Sequence, residues 1–413
     1  MRSIWISPLV VCLCAGQTIT LETALELAAK QNPGVQITRL RVLEREAQTA
    51  STRAAYLPQA DVIVFGTYQT SNLQGIGLAF PGLSDRIGPF RTFNARPVVT
   101  QKVLDFSLLS SIRASRLQTA AAKLDVEAAR EETQAAVVTL YLQTFQAQSR
   151  ARAAKARLAV ADALLGQVTD REKGGAASQL DVARNRQQRE SEHVALIGAE
   201  QELALLRPAL VELLGGPFDG ELVEPRLVIA PEGIRPDVRA AEERVKVAEQ
   251  EVTRARRERW PQLTASGDYG VLGAGPDRST STYAVGATLR IPVWTSGRLE
   301  ADQRAAEHRL AQAREEVKRL KLGAERLSVQ ALIAFEGQSR AGAAAASSAE
   351  AARKVLELAR LRYESGMATA VDTVTAQGAL AEAEDAEIRA RYEASIALAR
   401  LAFARGDVKA VLR

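Results

Sequence analysis

The side chains best suited to chemistry are two aspartates that occupy the same place in two similar turns. Asp181 ends the run Gly-Gly-Ala-Ala-Ser-Gln-Leu-Asp, and Asp372 ends the run Ser-Gly-Met-Ala-Thr-Ala-Val-Asp. A hydroxyl residue followed three positions later by an acidic residue is typical of the capping box that begins a helix. The sequence therefore predicts helix capping as the structural role of both carboxylates, at turns that a second role could also use.

Catalytic and metal-binding chemistry have little support elsewhere in the chain. The two histidines, His193 and His308, stand alone on helical segments, where surface positions are expected. No cluster of histidine and cysteine and no nucleophile motif occurs, so we expect no enzyme, no metal site and no cofactor. The net charge of +5 is spread along helices that also carry many carboxylates, which does not indicate nucleic-acid binding.

The first sixteen residues are typical of a secretory signal peptide, with Arg2 before a short apolar run over 4–15. Both cysteines, Cys12 and Cys14, lie in this segment, so the mature chain would hold neither a disulfide nor a thiolate site. Acylation of either cysteine is the alternative. No later run of eighteen apolar residues occurs, and we expect no transmembrane helix.

The chain is predicted to be a tandem duplication. Asn-Pro-Gly-Val-Gln at 32–36 matches Arg-Pro-Asp-Val-Arg at 235–239, and Tyr-Leu-Pro-Gln at 56–59 matches Arg-Trp-Pro-Gln at 259–262. The two turns form a further pair in the same order. The expected organisation is a signal peptide (1–16), a first repeat (17–216), a connector (217–235), a second repeat (236–407) and a tail (408–413).

Each repeat is predicted to run helix, two strands, long helix, helix. The prolines suit the first positions and the ends of the first helices, and period-two alternation predicts the strands. Expected strands cover about 59–70, 95–105, 262–272 and 283–291, with loops at about 71–93 and 273–281. The long helices, over about 107–171 and 297–364, carry apolar residues at steps of three and four, broken once at Glu131, which predicts supercoiled helices.

The last strand has one apolar face, which we expect to contact lipid, formed by Tyr283, Val285, Leu289 and Ile291. Strands of about ten residues suit a bilayer, yet four of them cannot close a barrel. An open sheet edge in hydrocarbon would leave backbone groups unpaired, so subunits must share one barrel. Two chains with eight strands and three chains with twelve both satisfy this requirement.

In its motifs and their order the chain resembles the TolC family of outer-membrane efflux proteins. The resemblance rests on Thr-Leu-Glu-Thr-Ala-Leu at 20–25, on Asn32-Pro33, on the Tyr-Leu-Pro-Gln junction and on the paired Gly-x-x-[Ser/Thr]-x-[Leu/Val]-Asp turns, and it covers 18–407. It implies a mainly α-helical trimer, in which a periplasmic barrel of coiled-coil helices continues into a shared twelve-stranded β-barrel in the outer membrane. It also implies passive exit for substrates of a tripartite efflux pump or type I secretion system.

The same resemblance implies partners and roles for the turns. An inner-membrane pump and a periplasmic adaptor would be the partners, with adaptor-docking tips at Gly175, Ala176, Ala177, Ser178, Leu180, Gly366, Met367, Ala368, Thr369 and Val371. A gate at the channel entrance would comprise Asp181, Tyr363, Asp372 and Thr375, closed by a hydrogen bond between Tyr363 and Asp181. The family's second acidic ring corresponds to Thr375, and its tip arginine corresponds to Ala368, so only part of that gate is kept.

A periplasmic coiled-coil adaptor or scaffold protein is the alternative function. An adaptor would present one helical hairpin flanked by small β domains, whereas this sequence contains two equal repeats. The transported substrate stays open among a drug, a metal ion and a polypeptide, because channels of this kind serve many pumps.

Overall fold

The computed structural model describes residues 18–72, 75, 77, 86–218, 220–365 and 367–412. The predicted signal peptide lies outside these residues. Among the residues described, no helix is both long enough and apolar enough to cross a membrane. In chain order the elements are α1 (Leu21–Gln31), α2 (Pro33–Ala54), β1 (Gln59–Asn72), β2 (Arg86–Leu104), α3 (Phe106–Lys173), α4 (Gln179–Leu214), α5 (Pro236–Arg257), β3 (Gln262–Gly273), β4 (Ser279–Arg290), α6 (Arg298–Glu364), α7 (Ala370–Arg405) and a 3₁₀ helix (Lys409–Leu412).

The two halves repeat the same elements at nearly the same lengths. Helices α2 and α5 have 22 residues each, α3 and α6 have 68 and 67, and α4 and α7 have 36 each. Equal lengths in equal order are what a duplicated unit requires. The internal duplication is therefore present in the structure as well as in the sequence.

Helix α2 begins at a proline because the residue before it acts as a side-chain cap. The Oδ1 atom of Asn32 accepts hydrogen bonds from the backbone N–H groups of Gly34, at 2.8 Å, and Val35, at 3.3 Å. Pro33 has no N–H to satisfy, so it costs nothing at the first helical position. The amide of Asn32 donates to the Leu213 carbonyl at 2.9 Å, which fixes this helix start against the end of α4.

One predicted loop is shorter than expected. Strand β2 begins at Arg86, not at about 95, and its added residues pair with β1 as far as Asn72 opposite Arg86. These residues carry no apolar alternation, and the strand is extended by its backbone ladder and by a hydrogen bond between the hydroxyls of Thr67 and Thr92, so pattern analysis missed them. Pro97 lies inside β2, opposite Val62, and the ladder with β3 skips Arg96 and Pro97, as expected where an N–H is missing.

The four strands form one antiparallel sheet in the order β1-β2-β3-β4. Its polar face holds an ion pair in which the Arg96 Nη1 atom donates to the Asp268 Oδ1 atom at 2.7 Å, while Nε donates to Asn94 at 2.6 Å. Gly270 of β3 lies beside Arg96, and a Cβ on that glycine would overlap the Arg96 Cβ atom. The glycine therefore provides the space for the arginine to cross the sheet surface.

The described residues form two compact units. One contains the described residues of 18–40, 124–239 and 318–412, and the other contains those of 41–123 and 240–317, with the whole sheet. The core of the first unit packs residues of α1, α3, α4 and α7 around its fully buried Tyr141, with Leu25, Leu142, Leu210 and Leu214 among its members.

Glu131, the break in the apolar pattern of α3, has a specific partner in the first unit. Its carboxylate accepts a hydrogen bond from the backbone N–H of Val408 at 2.9 Å. Burial raises the pKa of Glu131 above its usual value, although this hydrogen bond opposes the shift. Glu131 therefore replaces an apolar residue in the helix-packing pattern of α3 and binds the backbone of the segment that follows α7.

Tyr141 is the central polar contact of the same core. Its hydroxyl lies 2.7 Å from the carbonyl oxygens of Ile19 and Val223, and it accepts a hydrogen bond from the Val223 N–H at 3.0 Å. Ile19 also forms a parallel β-bridge with Leu222. One phenol on α3 thus joins the segment before α1 to the predicted connector, and burial raises its pKa from 10.0 to about 12.

We expect Tyr141→Phe to lower the free energy of unfolding by about 1–3 kcal/mol, because buried backbone groups lose a partner. Since the folded pKa of Tyr141 is raised, its protonated form contributes fully below pH 10, and that contribution falls between pH 10 and about 12. The slope should approach about 1.4 kcal/mol per pH unit. Denaturant unfolding at pH 9 and pH 11.5 measures both effects, and an equal pH dependence in wild type and variant would contradict this role.

Candidate functional site at the two helical turns

The first turn ends α3 with a glycine in the left-handed region. Gly175 has a φ of 74°, and the N–H of Ala176 donates to the Arg171 carbonyl at 2.8 Å, the wide hydrogen bond of a Schellman ending. An added Cβ on Gly175 would meet nothing within 4 Å, so only the backbone angle selects glycine there.

The second turn has the same geometry. Its Met367 N–H donates to the Arg362 carbonyl at 2.8 Å, as in the first turn. Gly366, predicted as the counterpart of Gly175, lies outside the described residues. The match of these two hydrogen bonds shows that the duplication extends to the backbone of the turns.

Both predicted capping boxes are formed. The Asp181 N–H donates to the Ser178 hydroxyl at 3.2 Å, and the Asp181 carboxylate accepts from the Ser178 N–H at 3.2 Å. At the second turn the Asp372 N–H donates to the Thr369 hydroxyl at 3.4 Å, and the Asp372 carboxylate accepts from the Thr369 N–H at 2.8 Å. Ser178 and Thr369 have nearly the same backbone angles, so the two helices begin in one way.

The second capping carboxylate is held in its charged form. The backbone N–H and the hydroxyl of Thr369 both donate to Asp372, and these hydrogen bonds lower the pKa of its carboxyl group. Asp372 is exposed, as is Thr375 one turn further along α7. A permanent negative charge therefore stands on an open face of the helix at neutral pH.

The remaining predicted gate residues do not meet in this chain. Among the described residues, Tyr363 and Asp181 form no hydrogen bond with each other. The Asp181 carboxylate accepts from Ser178 and lies 3.9 Å from Arg184. The Tyr363 ring lies under the guanidinium of Arg171, with 5.7 Å between the Arg171 Cζ atom and the ring centroid. Asp181 is thus engaged by neighbours at its own turn, whereas Tyr363 is engaged by an arginine of the other hairpin.

The predicted docking tips are accessible. Leu180, Met367 and Val371 are 58%, 68% and 42% exposed, and Gly175, Ala176, Ser178 and Thr369 are exposed as well. Ala177 and Ala368 are half-buried. Apolar side chains held open on rigid capped turns are suited to burial by a partner.

An ion-pair network that the sequence did not reveal joins the helices behind the turns. Arg157 of α3 donates to Glu192 of α4 at 3.1 Å and to Asp385 of α7 at 3.3 Å. The side chains of Arg157 and Glu192 are only 15% and 10% exposed. In the sequence each of these charged residues is typical of a solvent-exposed helix face. Only the fold brings Arg157 next to Asp385, which lies on another helix.

The predicted lipid-facing residues share one face near the end of the sheet. Tyr283 pairs with Tyr269 and Leu289 with Leu263, and the exposed fractions of Tyr283, Val285, Leu289 and Ile291 are 77%, 84%, 58% and 53%. Val285 lies at the middle of β4, while Ile291 follows its last residue. The opposite face carries Asp268, Ala284 and Thr282.

Known proteins resemble this chain over nearly its whole length. The chain is 27% identical to pyoverdine export outer membrane protein OpmQ of Pseudomonas putida, over 92% of this chain and 84% of that protein. It is 25% identical to outer membrane protein OprJ of Pseudomonas aeruginosa, over 84% of this chain and 75% of that protein.

Solved structures share the fold. A membrane protein from Pseudomonas aeruginosa superposes with a TM-score of 0.81 at 23% identity, covering 98% of this chain and 97% of that one. VceC from Vibrio cholerae superposes with a TM-score of 0.76 at 20% identity, covering 94% and 96%. The predicted fold class is confirmed: a duplicated, mainly helical chain with four antiparallel strands, as in the trimeric TolC-like channels.

The family model described as outer membrane efflux protein matches residues 24–216 and 233–407. The match favours a channel over the alternative of a periplasmic adaptor or scaffold. The predicted efflux channel and its outer-membrane location are confirmed. Because the match covers both repeats, the chain belongs to the outer membrane efflux protein family, a family of outer-membrane channels and not an enzyme family.

Proposed function

We propose that this chain forms, with two further copies, the outer-membrane exit duct of a tripartite efflux pump and docks a periplasmic adaptor at its two turns. The observation that carries the proposal is a four-stranded sheet in which β1 and β4 each pair on one side only, among the residues described. Pairing β4 of one copy with β1 of the next satisfies both edges in hydrocarbon. Three copies then supply twelve strands, within the range of spanning barrels.

The two faces of the sheet support this arrangement. The apolar face carries the exposed Tyr283 and Val285, which suit lipid. The other face carries the paired charges of Arg96 and Asp268, which suit a watery interior. Alternation of this kind along the strands is the pattern of a membrane barrel.

We expect Val285→Arg to impair insertion and trimer yield, because an arginine facing lipid near the midplane costs about 2–4 kcal/mol. Ala284→Arg is the matched control, since Ala284 is the adjacent residue on the opposite face, paired with Asp268. Heat-modifiable trimers in the outer-membrane fraction are the measurement. Normal insertion of the Val285 variant together with failure of the Ala284 variant would mean that the faces are reversed.

The adaptor-docking proposal rests on the exposed apolar side chains of the turns. Leu180 of the first turn and Met367 of the second are both more than half exposed, and Val371, the counterpart of Leu180, is 42% exposed. The predicted tip residues around them are small, which allows close approach of a helical partner. Rigid caps at Ser178 and Thr369 keep this surface ordered before the adaptor binds, which reduces the entropic cost of docking.

Leu180→Gln should weaken adaptor binding at least tenfold, because an apolar side chain buried on docking is worth about 1.5–3 kcal/mol. Leu205→Gln is the control, since Leu205 lies on the same helix, away from the turn, and is 70% exposed. Surface plasmon resonance between the purified trimer and its adaptor gives both affinities. Equal affinities for the Leu180 variant and wild type would place docking elsewhere.

The gate proposal concerns the charge of Asp372. With three copies around one axis, Asp372 and Thr375 on the open face of α7 would line the entrance, and Asp181 and Tyr363 would lie nearby on the other helices. A lowered pKa keeps Asp372 charged well into the acidic range. We therefore propose that the entrance attracts cations.

Asp372→Asn should reduce the preference for cations over anions in planar bilayers, because the ring loses its charge. Thr369→Ala is the matched control: it removes the same capping box, at a cost of about 1 kcal/mol, and keeps the carboxylate. Reversal potentials under a salt gradient measure the preference. If Thr369→Ala and Asp372→Asn change it equally, the cap and not the charge is responsible.

The relatives named for pyoverdine export bear on the substrate. They support export of a compound comparable to pyoverdine through this duct. A polypeptide of a type I secretion system is the second candidate. Co-purification of the pump bound to the trimer separates these two candidates.

A further inference from the structure

A cavity of about 320 Å³ lies among four helices beside the turns. Helix α3 contributes Leu164 and Arg171 to its wall, α4 contributes Asn185, α6 contributes Arg360, and α7 contributes Thr373. Its volume lies at the lower end of the range of about 300–1,000 Å³ that holds small ligands. The cavity is distinct from the docking tips, because none of the predicted tip residues lines it.

The charge of this cavity is positive. The described residues that line it include Arg171 and Arg360 and no carboxylate. Arg360 forms no ion pair among the described residues, and its Nε atom is buried without a hydrogen-bond partner. Elsewhere between the same helices arginines meet carboxylates, as Arg157 meets Glu192 and Asp385. Arg157 thus has anionic partners between these helices, whereas Arg360 has none among the described residues.

A hydroxyl in the wall also lacks a partner. Thr373 is only 9% exposed, and its Oγ1 atom is buried with no hydrogen bond to the described residues. A buried polar group without a hydrogen-bond partner lowers the free energy of unfolding by about 1–3 kcal/mol, so such groups are rare in folded proteins. Thr373 therefore holds a buried hydroxyl in the cavity wall that no described residue satisfies.

We propose that this cavity binds a small carboxylate with an apolar body. The carboxylate would accept hydrogen bonds from the guanidinium of Arg360, with Arg171 adding positive charge, and rotation of the Thr373 side chain would bring its hydroxyl within reach of the second oxygen. Arginine is well suited to carboxylates because its planar donors match their two oxygens. The apolar part of the ligand would contact Leu164, which lies on the same wall.

The ligand would touch both halves of the chain at once. Arg171 belongs to the hairpin of α3 and α4, while Arg360 and Thr373 belong to the hairpin of α6 and α7. Binding energy gained from both hairpins favours the arrangement in which they enclose the ligand. The binding itself does not depend on the proposed channel function and can be tested separately.

The test is a calorimetric titration of benzoate into the purified full chain in lipid nanodiscs at pH 7.5, with empty nanodiscs as the blank. Wild type should give saturable heat, and benzamide, which has the same ring and no charge, should give none. Arg360→Gln should weaken benzoate binding tenfold or more. Thr373→Val should weaken it severalfold without lowering the unfolding temperature, because the hydroxyl has no partner to lose.

Arg362→Gln is the matched control, since Arg362 lies two residues along α6, is exposed and does not line the cavity. It should bind benzoate as wild type does. Size-exclusion chromatography and thermal unfolding show that each variant is folded before it is titrated. No saturable heat with wild type, equal binding of benzamide, or unchanged binding by Arg360→Gln overturns the proposal.

Discussion

Every backbone donor and acceptor removed from water must find a partner, and most of the special features of this chain serve that requirement. Asn32 supplies the acceptor for the first N–H groups of α2, and the two capping boxes do the same for α4 and α7. The hydroxyl of Tyr141 shares its proton between the carbonyl groups of Ile19 and Val223 and accepts from the Val223 N–H, beside the short β-bridge of the first unit. The sheet is the exception, because its two outer edges have no partner within the described chain. The proposed assembly follows from that exception.

The kind of contact between the long helices changes along their length, from apolar packing to ion pairs. Around Tyr141 the contacts are apolar, with Leu25, Leu142 and Leu210 almost fully buried. Nearer the turns, charged groups such as Arg157 and Glu192 cross between helices while largely shielded from water. A buried ion pair gives little net stability, but it strongly penalises arrangements that separate the charges. The ion pairs therefore favour the one register of these helices in which Arg157 meets its two carboxylate partners.

Much of the fold could be predicted because it repeats. Prolines at 33 and 236, alternation in 283–291 and the two Gly-x-x-[Ser/Thr]-x-x-Asp turns are local signals, and each turn predicts the geometry of the other. The start of β2 could not be predicted, because Arg86 to Asn94 pair through the backbone and carry no apolar pattern.

The candidate site was predictable only where its chemistry is local. The capping role of Asp181 and Asp372 depends on a residue three positions away, and the sequence shows it. The ring of Tyr363 contacts Arg171, which is distant in sequence. The expected hydrogen bond between Tyr363 and Asp181 is not formed among the described residues, where the Asp181 carboxylate accepts from Ser178. The pairing of Arg157 with Asp385 is of the same distant kind.

The ion pair between Arg96 and Asp268 links β2 of the first repeat to β3 of the second, so it lies on the junction that the duplication created. A single ancestral unit would carry two strands, and a twelve-stranded barrel would need six such units and six strand junctions between separate molecules. Fusion of two units places half of those junctions inside a chain, where their formation no longer depends on protein concentration. The covalent link thus reduces the number of separate molecules that must associate from six to three. Arg96, with Gly270 beside it, lies at the strand junction that the fusion made intramolecular.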